Sequence, residues 1–315
     1  MDRKPLIIIA GPTATGKSAL AVRLARKIGG EIISADSMQV YRRMDIGTAK
    51  VTEREKEGIP HYLIDILEPD QPFSVADFKA KAKEAVETVY SHGNIPILCG
   101  GTGFYIQSVL YDINFGDDEA DAGLKQKLEQ EMELDGPVAM HERLRQVDPD
   151  SAAAIHQNNR KRVIRALEYY YLTGNRISEH NAAEHARKSP YDYRYFVLSM
   201  QRDVLYARID RRVDRMIESG LVEEVKKLRD SGCSADMVSM QGLGYKEIFA
   251  YLEGRCTLEE AVAKIKQETR HFSKRQITWF KREPEAVWIP IDEYGFDQKK
   301  ILDRVAEDCT KLKKI

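Results

Sequence analysis

The residues best equipped for chemistry come early. Gly11-Pro12-Thr13-Ala14-Thr15-Gly16-Lys17-Ser18 fits G-x-x-x-x-G-K-[ST] in full. The glycines let backbone N–H groups turn inward around phosphate oxygens, and a helix starting at Lys17 adds its positive end. Lys17 would pair with phosphate, and the Ser18 hydroxyl would ligate Mg²⁺. Thr13 places a hydroxyl inside the loop, within reach of a bridging or terminal phosphate oxygen. Such a loop binds a diphosphate without identifying the reaction. Kinases and NTPases add a strand-end aspartate for Mg²⁺. Asp36 is the obvious candidate for that position, and Asp65 is the other.

These groups must be held by strands and helices, and the sequence supplies both. Residues 6–10 are a continuous apolar run directly before the loop, as expected of a buried parallel strand. Residues 17–28 have the spacing of an amphipathic helix. Strands are expected at 31–37, 62–67 and 95–99, the last running into Gly100-Gly101-Thr102-Gly103, with a helix at 74–91. This alternation predicts an α/β fold: a P-loop parallel sheet core flanked by helices. Ligands in such sheets bind beyond the carboxyl ends of the strands, so the exits at 11–18, 36–39 and 100–103 should face one cleft.

Beyond residue 115 the pattern changes. Segment 117–150 holds 11 acidic against 4 basic residues, whereas 156–212 holds 12 basic against 6 acidic. Strand character returns at 195–200, so 116–190 reads as an inserted all-helical domain, with 1–115 and 191–315 forming the core. Long helices are expected at 203–231 and 258–281, and a last strand at 287–291. Net charge is −1, which does not indicate a strongly basic nucleic-acid protein. Cys99, Cys233, Cys256 and Cys309 lack the spacing of a disulfide framework or zinc knuckle, which points to a reducing compartment. No apolar run is long enough for a membrane span, so the expected location is the cytoplasm, with no membrane partner.

The run Asp36-Ser37-Met38-Gln39-Val40-Tyr41-Arg42 continues as Arg43-Met44-Asp45-Ile46-Gly47-Thr48-Ala49-Lys50. Together with the P-loop it resembles the tRNA dimethylallyltransferase (isopentenyl-tRNA transferase) family, in which GPTAxGK[ST] is followed by DSxQxYRxMDIGTAK. Further matching blocks stand in family order at 100–105, 161–168, 244–247 and 274–279. Some family members append a C-terminal zinc finger. The tail 282–315 has Cys309 and no histidine, so the bacterial type is the nearer match.

The resemblance implies transfer of a dimethylallyl group from dimethylallyl diphosphate to N6 of the adenosine 3′ of the anticodon, with release of diphosphate. The P-loop residues Gly11, Pro12, Thr13, Ala14, Thr15, Gly16, Lys17 and Ser18 would then cradle a leaving group, with Mg²⁺ on Ser18. Asp36 is expected to be the general base for the acceptor amine, and Thr13, Lys17 and Arg212 to complete the catalytic set. Arg212 shares a helix face with Arg208 and is assigned to the diphosphate. For the tRNA anticodon stem-loop the expected contacts are Asp36, Ser37, Met38, Gln39 and Thr102 around a flipped adenine. Lys161, Arg162 and Arg165 would meet RNA from the insertion, and Lys274, Arg275 and Gln276 from a later helix. Trp279 is expected in the core, and the chain is expected to act as a monomer. A P-loop kinase would leave the 36–42 run and the basic helix unexplained. An adenylate isopentenyltransferase lacks such an insertion, and a GTPase would need an NKxD-type signature.

Overall fold

Leu6, Ile7, Ile8, Ile9 and Ala10 are completely buried, which only a central strand covered on both faces can achieve. They form β1 (Lys4–Ala10). The computed structural model describes residues 3–115, 122–185, 187–310 and 312. Its chain divides into two units, Met1–Asp112 with Pro190–Ile315, and Ile113–Ser189. The expected start of the insertion, 116–121, lies outside the described residues.

In the first unit β1 leads to α1 (Lys17–Ile28), β2 (Gly30–Ala35), α2 (Glu53–Lys56), β3 (His61–Tyr62), α3 (Val75–Ser91), β4 (Ile95–Gly100) and α4 (Gly103–Leu110). The second unit holds α5 (Ala122–Val147), α6 (Pro149–Ala154), α7 (Arg160–Thr173) and α8 (Ile177–His185). The first unit then resumes with β5 (Tyr191–Ser199), α9 (Arg202–Glu218), α10 (Leu221–Asp230), α11 (Tyr245–Leu252), α12 (Leu258–Phe280), β6 (Val287–Pro290) and α13 (Gln298–Cys309).

The six strands run in the order β3-β2-β4-β1-β5-β6, and all their pairings are parallel. Side chains alternate across this sheet. Leu6, Ile8 and Leu98 meet Phe78 of α3 and Ile106 of α4 on one face. Ile7, Ile9 and Ile97 meet Leu20 and Leu24 of α1 and Val305 of α13 on the other. A third cluster packs Val40, Tyr41 and Met44 against α9 to α12, including Val213, Val225, Tyr245 and Ile248. The segment after β2 is therefore anchored by a core of its own.

Several expectations need correction. The strand expected at 62–67 stops at Tyr62, because Leu63 (φ 62°) and Asp65 (φ 56°) take left-handed backbone that no strand tolerates. The single helix expected at 203–231 is two, α9 and α10, broken at Gly220 with φ 98°. The strand expected at 195–200 begins four residues earlier, at Tyr191, where it pairs with Lys4.

The second unit has a separate core of Leu128, Met132, Met140, Leu144, Val163 and Leu167. Gly136 (φ 81°) and Pro137 interrupt α5, so it is two helical pieces. Buried Asp148 accepts hydrogen bonds from the N–H and hydroxyl of both Ser151 and Ser178, tying α6 to α8. Burial alone would raise its pKa, but the bonds from Ser178 and Ser151 hold it below the usual carboxylate range.

Candidate diphosphate and acceptor site

Register puts three loops at one level. Ala10 pairs with Gly100, and Gly100 pairs with Ala35, so β1, β4 and β2 end side by side. The loops that begin at Gly11, Gly101 and Asp36 leave from the same edge of the sheet. Two strand spacings, about 10 Å, separate the outer two at their roots.

The P-loop is shaped from within. Ala14 has φ 67° and Gly16 φ 86°, and α1 starts at Lys17 with no side-chain cap. The Pro12 carbonyl accepts from the Thr15 hydroxyl at 2.9 Å and from the Lys17 ammonium at 3.2 Å. Arg208 donates through Nε to the Ala14 carbonyl at 2.9 Å, and its guanidinium lies over the Phe296 ring. Burial lowers the Lys17 pKa. Arg212 adds to that effect, while Cys99 and Asp36 oppose it. Burial also lowers the Arg212 pKa, again opposed by Asp36. Two cations held out of bulk water this way favour an incoming anion strongly. A cleft of about 930 Å³ lies against them, lined by Gly16, Lys17, Ser18, Arg208, Arg212 and Arg215 among others.

Asp36 follows β2 directly. Its Oδ1 accepts from the N–H groups of Met38 at 2.9 Å and Gln39 at 3.3 Å. That turn fixes the carboxylate through Oδ1, and among the described residues Oδ2 has no hydrogen-bond partner. Thr102, from the middle exit, accepts the Ser37 N–H at 3.3 Å and gives its own N–H to the Ala35 carbonyl at 3.2 Å. Asp65, the alternative metal aspartate, is instead paired with Lys50 at 2.5 Å. Among the described residues no three His, Cys, Asp or Glu side chains cluster as a metal site. Among the described residues the Ser18 hydroxyl has no hydrogen-bond partner, and Ser18 lines the cleft, so it fits a Mg²⁺ that would take its remaining ligands from diphosphate and water.

Other expected contacts fall differently. The Gln39 amide is engaged internally, its Oε1 accepting from Ser34 and its Nε2 donating to the Thr48 carbonyl, which Arg212 also reaches at 3.5 Å. Met38 packs its methyl against Gly242. Lys274 and Arg275 are exposed on α12, but Gln276, expected beside them on an RNA-facing surface, is only 6% exposed. Its position on the helix turns it inward, where both ends of its amide bond the protein. In the second unit Lys161 and Arg162 are exposed at the start of α7, and Arg165 pairs with Glu168 at 3.0 Å.

Two supporting contacts, one by Glu224 and one between Trp279 and Gly103, had no signal in the sequence. Glu224 of α10 accepts the N–H groups of Asp45, Ile46 and Gly47 and the Tyr245 hydroxyl at 2.6 Å, clamping the loop that carries Thr48. Trp279 lies so close to Gly103 that a Cβ there would come within 2.0 Å of its ring, which explains a glycine where α4 begins. Glu224 stands in an ordinary charged helix and nothing local marks it.

Comparison with known proteins bears on the family and the fold. The IPP transferase family profile matches residues 39–283. A tRNA dimethylallyltransferase of Lachnoclostridium phytofermentans is 54% identical over 302 residues, covering 96% of each chain. The solved full-length tRNA isopentenylpyrophosphate transferase of Bacillus halodurans superposes with a TM-score of 0.72 at 45% identity, covering 97% of this chain and 96% of that one. A eukaryotic dimethylallyltransferase solved acting on tRNA gives a TM-score of 0.80 at 32% identity, covering 91% of this chain and 74% of that one.

Proposed function

The chain belongs to the IPP transferase family and is a prenyltransferase of tRNA, and on that premise we propose that it moves a dimethylallyl group from dimethylallyl diphosphate to N6 of the adenosine 3′ of the anticodon. The observation that carries this reading is the alignment of strand ends. An anion cradle and a fixed carboxylate stand about 10 Å apart at their roots across one intervening strand, space for an allylic carbon flanked by its leaving oxygen and its attacking amine.

The diphosphate lies on the P-loop, against Lys17 and Arg212. As the C1–O bond breaks, negative charge grows on the bridging oxygen and positive charge spreads over the allyl group. Lys17 and Arg212 line the same cleft as the loop and would stabilise that charge electrostatically. A Mg²⁺ ion held by Ser18 would supply further positive charge to the leaving group. The adenine amine attacks C1, and its N–H becomes acidic as its lone pair enters the new bond. Asp36 takes that proton on Oδ2 while Oδ1 stays tied to its turn. Thr102 supports the Asp36 segment through Ser37. The exposed cations Lys274 and Arg275, and on the second unit Lys161 and Arg162, are suited to the phosphates of the anticodon stem-loop.

No helix among the described residues is long and apolar enough to cross a membrane. A tRNA substrate is compatible with a cytoplasmic setting, and a monomer is the working unit proposed, since one chain carries every group named. The test is transfer of label from dimethylallyl diphosphate to unmodified tRNA, with free AMP as the competing acceptor. Label should enter RNA and not AMP. Lys17→Ala should abolish transfer, and Asp36→Ala should slow it by about 10²–10⁴, a larger effect than on tRNA binding. Label on AMP alone, or an Asp36→Ala variant of full rate, would refute the assignment.

A further inference from the structure

We propose that Gln276 is a positioning residue that fixes the distance between the leaving-group loop and the acceptor-side loops; this rests on the reaction assigned above. Its Oε1 accepts the Thr13 N–H at 3.0 Å, and its Nε2 donates to the Gly101 carbonyl at 3.0 Å. One planar amide thus joins the P-loop to the exit of β4. From Gly101 the path continues through Thr102, whose hydroxyl accepts the Ser37 N–H and whose N–H is bonded to the Ala35 carbonyl. Ala35 and Ser37 flank Asp36. The two sides of the reaction are therefore spaced by a chain of hydrogen bonds with Gln276 at its centre.

The fit is close. A Cβ on Gly101 would lie 2.2 Å from Gln276 Nε2, so a glycine there lets the amide come near. Gln276 is 6% exposed, which leaves water little room to replace it. The Thr13 N–H, spent on Gln276, is withheld from phosphate, so the side chain also sets which loop amides face the anion. The position needs one acceptor and one donor on the same planar group. A carboxylate supplies the acceptor but not the donor, and only its protonated form supplies both.

That chemistry provides the test. In single-turnover prenyl transfer at saturating dimethylallyl diphosphate and tRNA, Gln276→Glu should run at least about tenfold slower than wild type at alkaline pH, since small displacements of reacting groups are costly. The variant-to-wild-type ratio should recover as pH falls and the introduced carboxyl takes up its proton. Taking the ratio removes the pH effects on transfer that the two proteins have in common. The dissociation constant for tRNA should stay within about twofold, as expected for a group that does not touch RNA. A ratio flat across pH overturns the proposal, as does a defect seen only in tRNA affinity, which would make Gln276 an RNA contact. If Gln276→Glu fails a thermal-melt check, Gln276→Met removes both bonds at similar volume. It should lose rate at saturation with tRNA affinity retained, and full rate at saturation would overturn the role. A wild-type chain that transfers no label to tRNA refutes the assigned reaction, and this role with it.

Discussion

Lys17 and Arg212 hold positive charge where burial penalises it, and a diphosphate removes that penalty. The sign of the pH effect follows. The anion prefers protonated Lys17, so affinity is greatest below the lysine's lowered pKa and falls as pH rises through it. Donor binding should weaken at a lower pH than an ordinary lysine would allow, and binding measured around the lysine's lowered pKa should take up protons. Calorimetry in buffers of different ionisation enthalpy measures that uptake; affinity and proton count both constant across the range would contradict it. At this scale the placement of the candidate residues was largely legible. Gly11 to Ser18 announce a phosphate loop by type and spacing, and Asp36 stands where a strand should end. Gln276 was not legible, because Lys274-Arg275-Gln276 reads as one polar run. Only the helix's rotation against Gly101 turns one member inward.

The elements show why the loop after β2 needs support. It carries Thr48, whose carbonyl receives both Gln39 and Arg212, and it is clamped by Glu224 from α10. Glu224→Ala would leave the Asp45, Ile46 and Gly47 N–H groups and the Tyr245 hydroxyl without their acceptor. The expected cost is about 2–4 kcal/mol, read as a lower melting temperature, with a raised KM for dimethylallyl diphosphate. An unchanged KM would show that the clamp does not serve Arg212. This support lies 177 residues from Gly47 in sequence, so local pattern could not reveal it. The same limit explains the strand misread at 62–67, whose apolar residues look extended although Leu63 and Asp65 turn left-handed. It also explains the helix misread at 203–231, where Gly220 breaks an otherwise continuous amphipathic pattern.

At the scale of the whole molecule the chain makes two units with separate cores. Asp112 and Tyr191 are close enough for the carboxylate to raise the phenol's pKa along with burial, so the first unit brings its two cut ends together. Replacing residues 113–189 with a short Gly-Ser linker should therefore leave a folded protein that binds dimethylallyl diphosphate and loses tRNA affinity. Circular dichroism and calorimetry test both halves, and a chain that cannot fold without the second unit would refute it. Strand order has a different consequence. β1 needs β5 beside it, and Gly11 packs against the backbone of Leu198. During synthesis the ribosome delivers the first strand long before its neighbour, a delay of roughly ten seconds or more at ordinary elongation rates. Until then the nascent polypeptide carries an unpaired apolar strand edge. The anion cradle is thus encoded first and finished late.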